Sequence, residues 1–308
     1  MDDLLVVGEA LVDIVERRDG TRAEHPGGSP ANVALGLARL GRRTGLLTRV
    51  GDDDRGHRIV KHLQAAGVRL VPGSVAGART SSAKATLDER GVASYEFDID
   101  WRLPAGVGAQ GATAVHTGSI AAFLQPGGDQ VLELLRRAAP SATISYDPNA
   151  RPRLMGDADA ARERVERIVA GCDLVKVSDE DLEWLTPGED PADVADRWQR
   201  SGPAVVVVTR GADGALARFR GLGVQVPAPA VTVVDTVGAG DAFTSGALDY
   251  LSGAGMLGPD RRQALAAIDE QTLIAMLRHA VRTSAITCTR AGAQPPTRAE
   301  VDTWSDPV

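Results

Sequence analysis

The sequence predicts an α/β fold: a three-layer sandwich with a mostly parallel central sheet, helices on both of its faces, and a small β lid. Three observations predict it. Short apolar runs suited to buried parallel strands recur at 4–7, 114–117, 143–146, 174–177 and 204–208. Longer stretches of helical period, such as 130–139 and 157–170, lie between them. One stretch breaks the rhythm: two strand-like runs, 80–87 and 91–99, joined by Asp88-Glu89-Arg90-Gly91, read as a hairpin inserted early in the chain.

Length and composition narrow the reading. The 308 residues suit one domain spanning 1–308, with the hairpin lid at about 80–99 inserted in it. With 43% apolar and 24% charged residues the chain is ordinary globular material, which excludes intrinsic disorder. The net charge is −7, and the only lysines are Lys61, Lys84 and Lys176, among scattered arginines. A nucleic-acid groove needs concentrated positive charge, so no nucleic-acid partner is expected. Cys172 and Cys288 lack a CxxC partner and the five histidines have no zinc spacing, so no structural zinc site is expected. The N-terminus has no basic region ahead of its apolar residues, and no run approaches 18 apolar residues. The expectation is a cytoplasmic protein with no membrane partner.

In open α/β sheets ligands sit beyond the carboxyl ends of the strands. That rule selects, in chain order, Gly8-Glu9 with Asp13, then Asp147-Pro148-Asn149, Ser178-Asp179-Glu180-Asp181, and Thr209-Arg210-Gly211. The first helix opens within Gly27-Gly28-Ser29-Pro30-Ala31-Asn32 and stops at Gly41, burying Val33, Leu37 and Leu40. Ser29 suits the N-cap and Pro30 the first helical position, so capping explains those residues without any function. Capping does not explain the glycine pair, which lets a ligand approach the backbone, or Asn32, which offers donor and acceptor to hydroxyls. In the hairpin, Tyr95, Phe97 and Ile99 alternate with small or polar residues and give one apolar face.

The sharpest signal is Asp235-Thr236-Val237-Gly238-Ala239-Gly240-Asp241, after a β-like run at 231–234. It opens a helix with Ala242, Phe243, Ala247 and Leu251 on its apolar side. Glycines at a helix start expose N–H groups where the dipole is positive, which makes an anion site. Asp241 is then either a dipole-favoured structural carboxylate or a general base beside a phosphate. The dinucleotide pattern lacks its third glycine, and no Gly-Lys pair exists to form a Walker A loop.

Together the two glycine motifs resemble the paired signatures of the ribokinase-like (PfkB) carbohydrate kinase family, and the resemblance runs through essentially the whole chain. Gly8-Glu9 with Asp13, and segments 146–152, 175–180 and 288–296, are most similar to the fructokinase branch. The resemblance implies an ATP-dependent sugar kinase with Mg²⁺, acting on a primary hydroxyl, with D-fructose the leading substrate. Kinases for ribose, 2-keto-3-deoxygluconate or a nucleoside are the alternatives within the class. A catalytically silent sugar or nucleotide sensor is the alternative outside it, and the intact Gly-Ala-Gly-Asp argues against that. By the resemblance, Asp241 would take the proton of the attacking hydroxyl, and the N–H groups of Gly238, Ala239 and Gly240 would form the anion hole. Asp13, Gly28 and Asn32 would bind sugar hydroxyls, with Gly27 shaping the backbone. Thr209, Arg210, Gly211, Asp213, Gly214 and Gly240 would run along the nucleotide, with Arg151 facing phosphates. Glu180 or Asp181 would organise Mg²⁺ through water, Asp replacing the family's Glu at the latter position. Asp235 and the carbonyl of Val237 would hold a monovalent cation such as K⁺. Val281 stands where a nucleotide-side Asn is expected, which implies more apolar adenine contacts. In several family members lid sheets pair, so a homodimer joined through the lids is expected.

Overall fold

Alternate side chains of the first strand enter two separate cores, and this alternation sets the layering. The computed structural model describes residues 4–16, 21–77, 79–87 and 93–305. Leu4 and Val6 pack with Val33 and Leu37 of helix Ser29–Arg39, and with Phe243 of helix Ala239–Gly253 and Met276 of helix Glu270–Cys288. Leu5 and Val7 pack with Val131 and Leu134 of helix Gly127–Ala138, Val165 of helix Ala158–Val169 and Trp198 of helix Pro191–Ser201. A strand buried on both faces must be apolar at every position, which is why the runs are continuous rather than alternating.

The strands in chain order are β1 (Leu4–Val7), β2 (Leu11–Glu16), β3 (Arg22–Gly27), β4 (Thr44–Leu47), β5 (Arg69–Leu70), β6 (Ser82–Leu87) and β7 (Ala93–Asp98), followed by β8 (Ala114–Gly118), β9 (Thr143–Asp147), β10 (Leu174–Ser178), β11 (Val205–Thr209), β12 (Ala215–Phe219) and β13 (Leu222–Val226). One sheet has the order β13-β12-β11-β10-β9-β8-β1-β4-β5. Its strands are parallel from β11 to β5, and β12 and β13 add an antiparallel edge. The expected three-layer α/β sandwich is the observed one.

The smaller sheet corrects one expectation. It is not a single hairpin but has the order β3-β2-β6-β7, with two antiparallel hairpins joined by a parallel β2–β6 contact. The first hairpin, β2–β3, lies in a stretch read from sequence as site loop. Its signal is a period of two: Val12 and Ile14 are buried against the body, while Asp13 between them is exposed to the cleft. The expected turn at Asp88-Glu89-Arg90-Gly91 and the side chain of Tyr95 lie outside the described residues.

Charged contacts attach this sheet to the body. Glu24 of β3 accepts hydrogen bonds from Arg55, at 2.6 Å, and from Arg58, both on helix Asp54–Ala65. Arg55 above all holds the Glu24 carboxyl down at about 2. Asp53, the N-cap of that helix, accepts from Gly56 N at 2.7 Å and from the Thr80 hydroxyl at 2.6 Å, at the root of β6. Among the described residues no helix is long and apolar enough to cross a membrane.

Candidate active site

A cleft of about 960 Å³ opens where the carboxyl ends of the parallel strands meet the small sheet. Asp13, Gly28, Ser29 and Asn32 line one end, and Thr209, Gly211, Gly214 and Val281 the other. Gly238, Ala239, Gly240 and Asp241 lie on its wall as well.

The glycine pair is required by close approach. Gly28 has φ +102°, and a Cβ there would come within 2.5 Å of the Glu9 carbonyl. A Cβ on Gly27 would fall 1.9 Å from Asp13 Oδ2. The N-cap is Gly28 rather than Ser29, a one-residue correction with a chemical reason. Ser29 is already helical, and its hydroxyl donates to Asp241 Oδ1 at 2.6 Å instead of capping the helix. Asn32 Nδ2 donates to Asp241 Oδ2 at 2.8 Å.

Asp241 is buried, and burial raises its pKa; the Ser29 and Asn32 hydrogen bonds and the charges of Lys176 and Arg151 oppose the rise. A desolvated carboxylate held by two donors, with its proton affinity lifted, is chemically a proton acceptor. Asp13 stands in the mouth of the cleft with protein around its carboxylate, and desolvation pushes it up to about 6 against the pull of Arg151 and His25. Behind it Glu9 is buried and accepts the Ala121 N–H at 3.1 Å. Desolvation takes Glu9 up to about 8, so it is neutral at neutral pH.

The loop before Asp241 departs from the sequence reading. Residues 231–234 form no strand: Val233 and Val234 are exposed, and the Val234 N–H donates to the Cys288 carbonyl at 2.8 Å. The β-branched run pairs with no strand of either sheet and extends along the cleft wall. Asp235 ties the loop down, accepting Val237 N at 3.0 Å and Gly292 N at 2.8 Å. Gly238, at φ +77°, caps helix Ala239–Gly253, and a Cβ there would meet Ala293 Cβ at 2.6 Å. The Ala239 N–H donates to the Thr236 carbonyl at 3.1 Å, so the turn itself uses one of the three expected anion-hole donors.

At the opposite end Thr209, Gly211, Ala212 and Gly214 line the cleft, with Val281, Ala285 and Cys288 facing them. Arg210 and Asp213, also expected along the nucleotide, lie outside this lining. Arg210 follows the antiparallel edge and donates to Gln225 at 3.2 Å, and Asp213 sits in the short turn Gly211–Asp213. Arg151 lines the cleft near Asp13, where its charge acts on Glu9, Asp13 and Asp241, and it donates to Asn149 Oδ1 at 2.7 Å. Asp181 is turned inward: it accepts Ala150 N at 2.8 Å and Ser178 N at 3.2 Å, the second as part of a capping box. Glu180 is exposed on the cleft. Among the described residues no group of three or more His, Cys, Asp or Glu could hold a metal ion directly.

Comparison with known proteins agrees with this geometry. The model of the pfkB family carbohydrate kinases matches residues 1–300. The chain belongs to the pfkB carbohydrate kinase family. It is 35% identical over 282 residues to a fructokinase of Rhizobium leguminosarum bv. trifolii, covering 88% of this chain and 85% of that protein. The structure of a Xylella fastidiosa fructokinase with bound ATP superposes with a TM-score of 0.84 at 27% identity, covering 98% of each chain. A fructokinase double mutant of Vibrio cholerae O395, in a fructose-, ADP- and potassium-bound form, superposes with a TM-score of 0.80 at 28% identity, again over 98% of each chain.

One residue lining this pfkB kinase's cleft, Lys176, was given no role from the sequence. Lys176 is buried, and its Nζ donates to the buried Asp147 Oδ2 at 3.0 Å. Asp147 ends β9, and desolvation pushes it up to about 6 against the pull of Lys176. A signal existed, since a lone lysine interrupts Leu174-Val175-Lys176-Val177, a run otherwise built for burial.

Proposed function

We propose that this pfkB-family kinase transfers the γ-phosphate of ATP to a primary hydroxyl of a free sugar, with D-fructose as the acceptor. The observation that carries the reading is the position of Asp241. It belongs to the first turn of the helix that offers an anion site, yet Ser29 and Asn32 of the acceptor end hold its carboxylate. One proton acceptor thus stands between the two reactants.

In the reaction Asp241 takes the hydroxyl proton as the sugar oxygen attacks the γ-phosphorus. The bond from that phosphorus to its bridging oxygen breaks, and the electron pair leaves on ADP. The N–H groups of Gly238 and Gly240, outside the turn bond that Ala239 makes, stabilise the developing charge. Phosphoryl transfer asks for little more than such positioning and electrostatics. Asp13 and Asn32 hold sugar hydroxyls, and Gly28 leaves room for the ring. The apolar wall of Val281 and Ala285 takes the adenine, while Thr209 and Gly211 follow the nucleotide.

Mg²⁺ supplies charge neutralisation on the phosphates when bound. The cleft offers hard oxygen donors of the right kind but no cage, and both Asp181 oxygens already accept backbone N–H bonds. Glu180 is therefore the carboxylate we assign to a water-mediated contact, with Asp181 fixing the turn beneath it. Asp235 and the Val237 carbonyl are the oxygens we assign to K⁺. The fructose, ADP and potassium bound by the Vibrio relative support the acceptor and the ion.

Leu11, Ala83 and Phe97 of the small sheet, with Ile99 just after β7, face the cleft and shield the acceptor from water. We also assign to this sheet the pairing of two chains as a homodimer.

A coupled assay of ADP release across a panel of free sugars tests the function. Fructose-dependent ADP release above all other sugars is the expected result. Turnover with another sugar would replace the acceptor, and ATP binding without turnover on any sugar would overturn the kinase.

A further inference from the structure

Lys176 stands where a lysine is least expected. It is 6% exposed, on a strand where its neighbours Leu174, Val175 and Val177 belong to the apolar cores. The alternation of β10 turns it to the same face as Leu174, under the helix that starts at Ala239. A Cβ built on Gly240 would lie 2.9 Å from its Nζ, so the ammonium touches the first turn of that helix.

A structural ion pair explains this poorly. Burying a charge pair in place of apolar side chains is neutral or destabilising as often as it helps. The start of a helix carries partial positive charge, so an ammonium there is also repelled by the backbone it touches. An anion lodged between them reverses the sign of that interaction, since both the dipole and the ammonium then attract it. Burial works against the charged form of Lys176, but Asp147, Asp181 and Asp241 outweigh it and hold the group protonated. Asp147 also fixes its direction, through the bond at 3.0 Å.

We propose that Lys176 is a further catalytic residue of this kinase, its ammonium contacting the transferring phosphoryl group beside Gly240, with Asp147 as its positioning residue. The inference rests on the kinase reading given above. In the step, the sugar oxygen forms its bond to the γ-phosphorus, Asp241 receives the proton, and the bond to the bridging oxygen breaks with its electron pair passing to ADP. Lys176 transfers no proton. It lowers the energy of the charge that spreads over the phosphoryl oxygens and the leaving oxygen.

Removing the ammonium alone leaves Asp147 buried and unpaired, so two variants are needed: Lys176→Met, and Lys176→Met combined with Asp147→Asn. The double variant carries neither charge and keeps the acceptor atom for Asn149 N. Calorimetry would measure the affinity of each folded protein for a non-hydrolysable ATP analogue and for ADP, both with Mg²⁺. The expected result is a loss of roughly 10- to 100-fold for the analogue with ADP changed less than about threefold, since only the analogue carries the γ-phosphoryl group. Turnover should fall by about 10²–10³-fold, the usual effect of removing one transition-state donor, with sugar KM nearly unchanged. Lys176→Arg should restore part of both. A folded double variant with the wild-type ratio of analogue to ADP affinity would overturn the assignment and leave the kinase reading intact. Wild-type protein that binds neither nucleotide would overturn the kinase reading itself, and this inference with it.

Discussion

Ser29 and Asp241 are 212 residues apart in the chain, and the hydroxyl of one donates to the carboxylate of the other at 2.6 Å. The bond joins the first turns of two helices, Ser29–Arg39 and Ala239–Gly253, which pack side by side under the cleft. It makes the two helix starts on the cleft wall one unit. Several consequences are measurable.

Asp241→Asn keeps the shape of the side chain and the helix start but removes the proton acceptor. Turnover should fall by about 10²–10⁴-fold, the contribution of a general base, with little change in sugar affinity. Steady-state kinetics on fructose checks this, and near wild-type turnover would end the base assignment.

Ser29→Ala removes a donor that stabilises the charged form of Asp241. Losing it raises the carboxyl pKa further, and a base works only when deprotonated. The acid limb of kcat/KM should therefore move to higher pH, by about one unit for a bond of about 1.4 kcal/mol. An unmoved acid limb would show that the bond does not reach the reacting group.

Asn32→Ala and Asp13→Ala should each weaken sugar use by roughly 2- to 12-fold in KM, the equivalent of one lost hydrogen bond, with ATP affinity unchanged. Asp13 adds a pH dependence. Its carboxyl titrates at about 6, and the charged form is the better acceptor for hydroxyls, so sugar KM should rise as pH falls through 6. Weakened ATP binding with unchanged sugar KM would mean that the two ends of the cleft had been exchanged.

Glu9 bears on stability rather than turnover. Its pKa rises from 4.5 to about 8 on folding, so the folded chain binds this proton more tightly than the unfolded one. Its stabilising contribution is fully present below pH 4.5 and is lost as pH rises to about 8. Glu9→Gln keeps an acceptor for the Ala121 N–H without the titration. The variant should match wild type at pH 4 and exceed it above pH 8 by a few kcal/mol at most. Denaturant melts at both pH values decide it, and parallel pH profiles would contradict the burial argument.

Phe97→Asp places a charge on the cleft-facing side of the small sheet. Sugar KM should rise by about tenfold as that apolar cover is lost, and the proposed homodimer should loosen with it. Sedimentation of wild type as a monomer at micromolar concentration would remove the dimer and leave a lid that closes on its own cleft.

The layering of the fold was legible because buried parallel strands must be apolar throughout, and the runs at 4–7 and 174–177 show that without any neighbour in view. The two glycine motifs were legible for a similar reason: close backbone approach and φ near +100° at Gly28 exclude side chains, and so mark the sequence directly. Other features were not local. Strand β2 has one buried face and one facing the cleft, and its alternation acquires meaning only when β6 pairs beside it. The run at 231–234 has strand-like residues, but it pairs with no strand, and the Val234 N–H is taken by the Cys288 carbonyl instead.

By itself the sequence determined the α/β class, the glycine-rich helix start at 238–240 and the candidate carboxylate at Asp241, because each follows from local backbone geometry and residue chemistry. Only the tertiary structure decided which groups meet that carboxylate. Ser29 was legible as a cap and became a donor, the Asp181 carboxylate accepts the Ala150 and Ser178 N–H groups, and Lys176 carried no assigned role until Gly240 lay against it. The physical reason is distance. A hydrogen bond or ion pair forms between atoms about 3 Å apart, and which atoms those are is set by helix and strand packing across the whole chain rather than by the neighbours of any one residue.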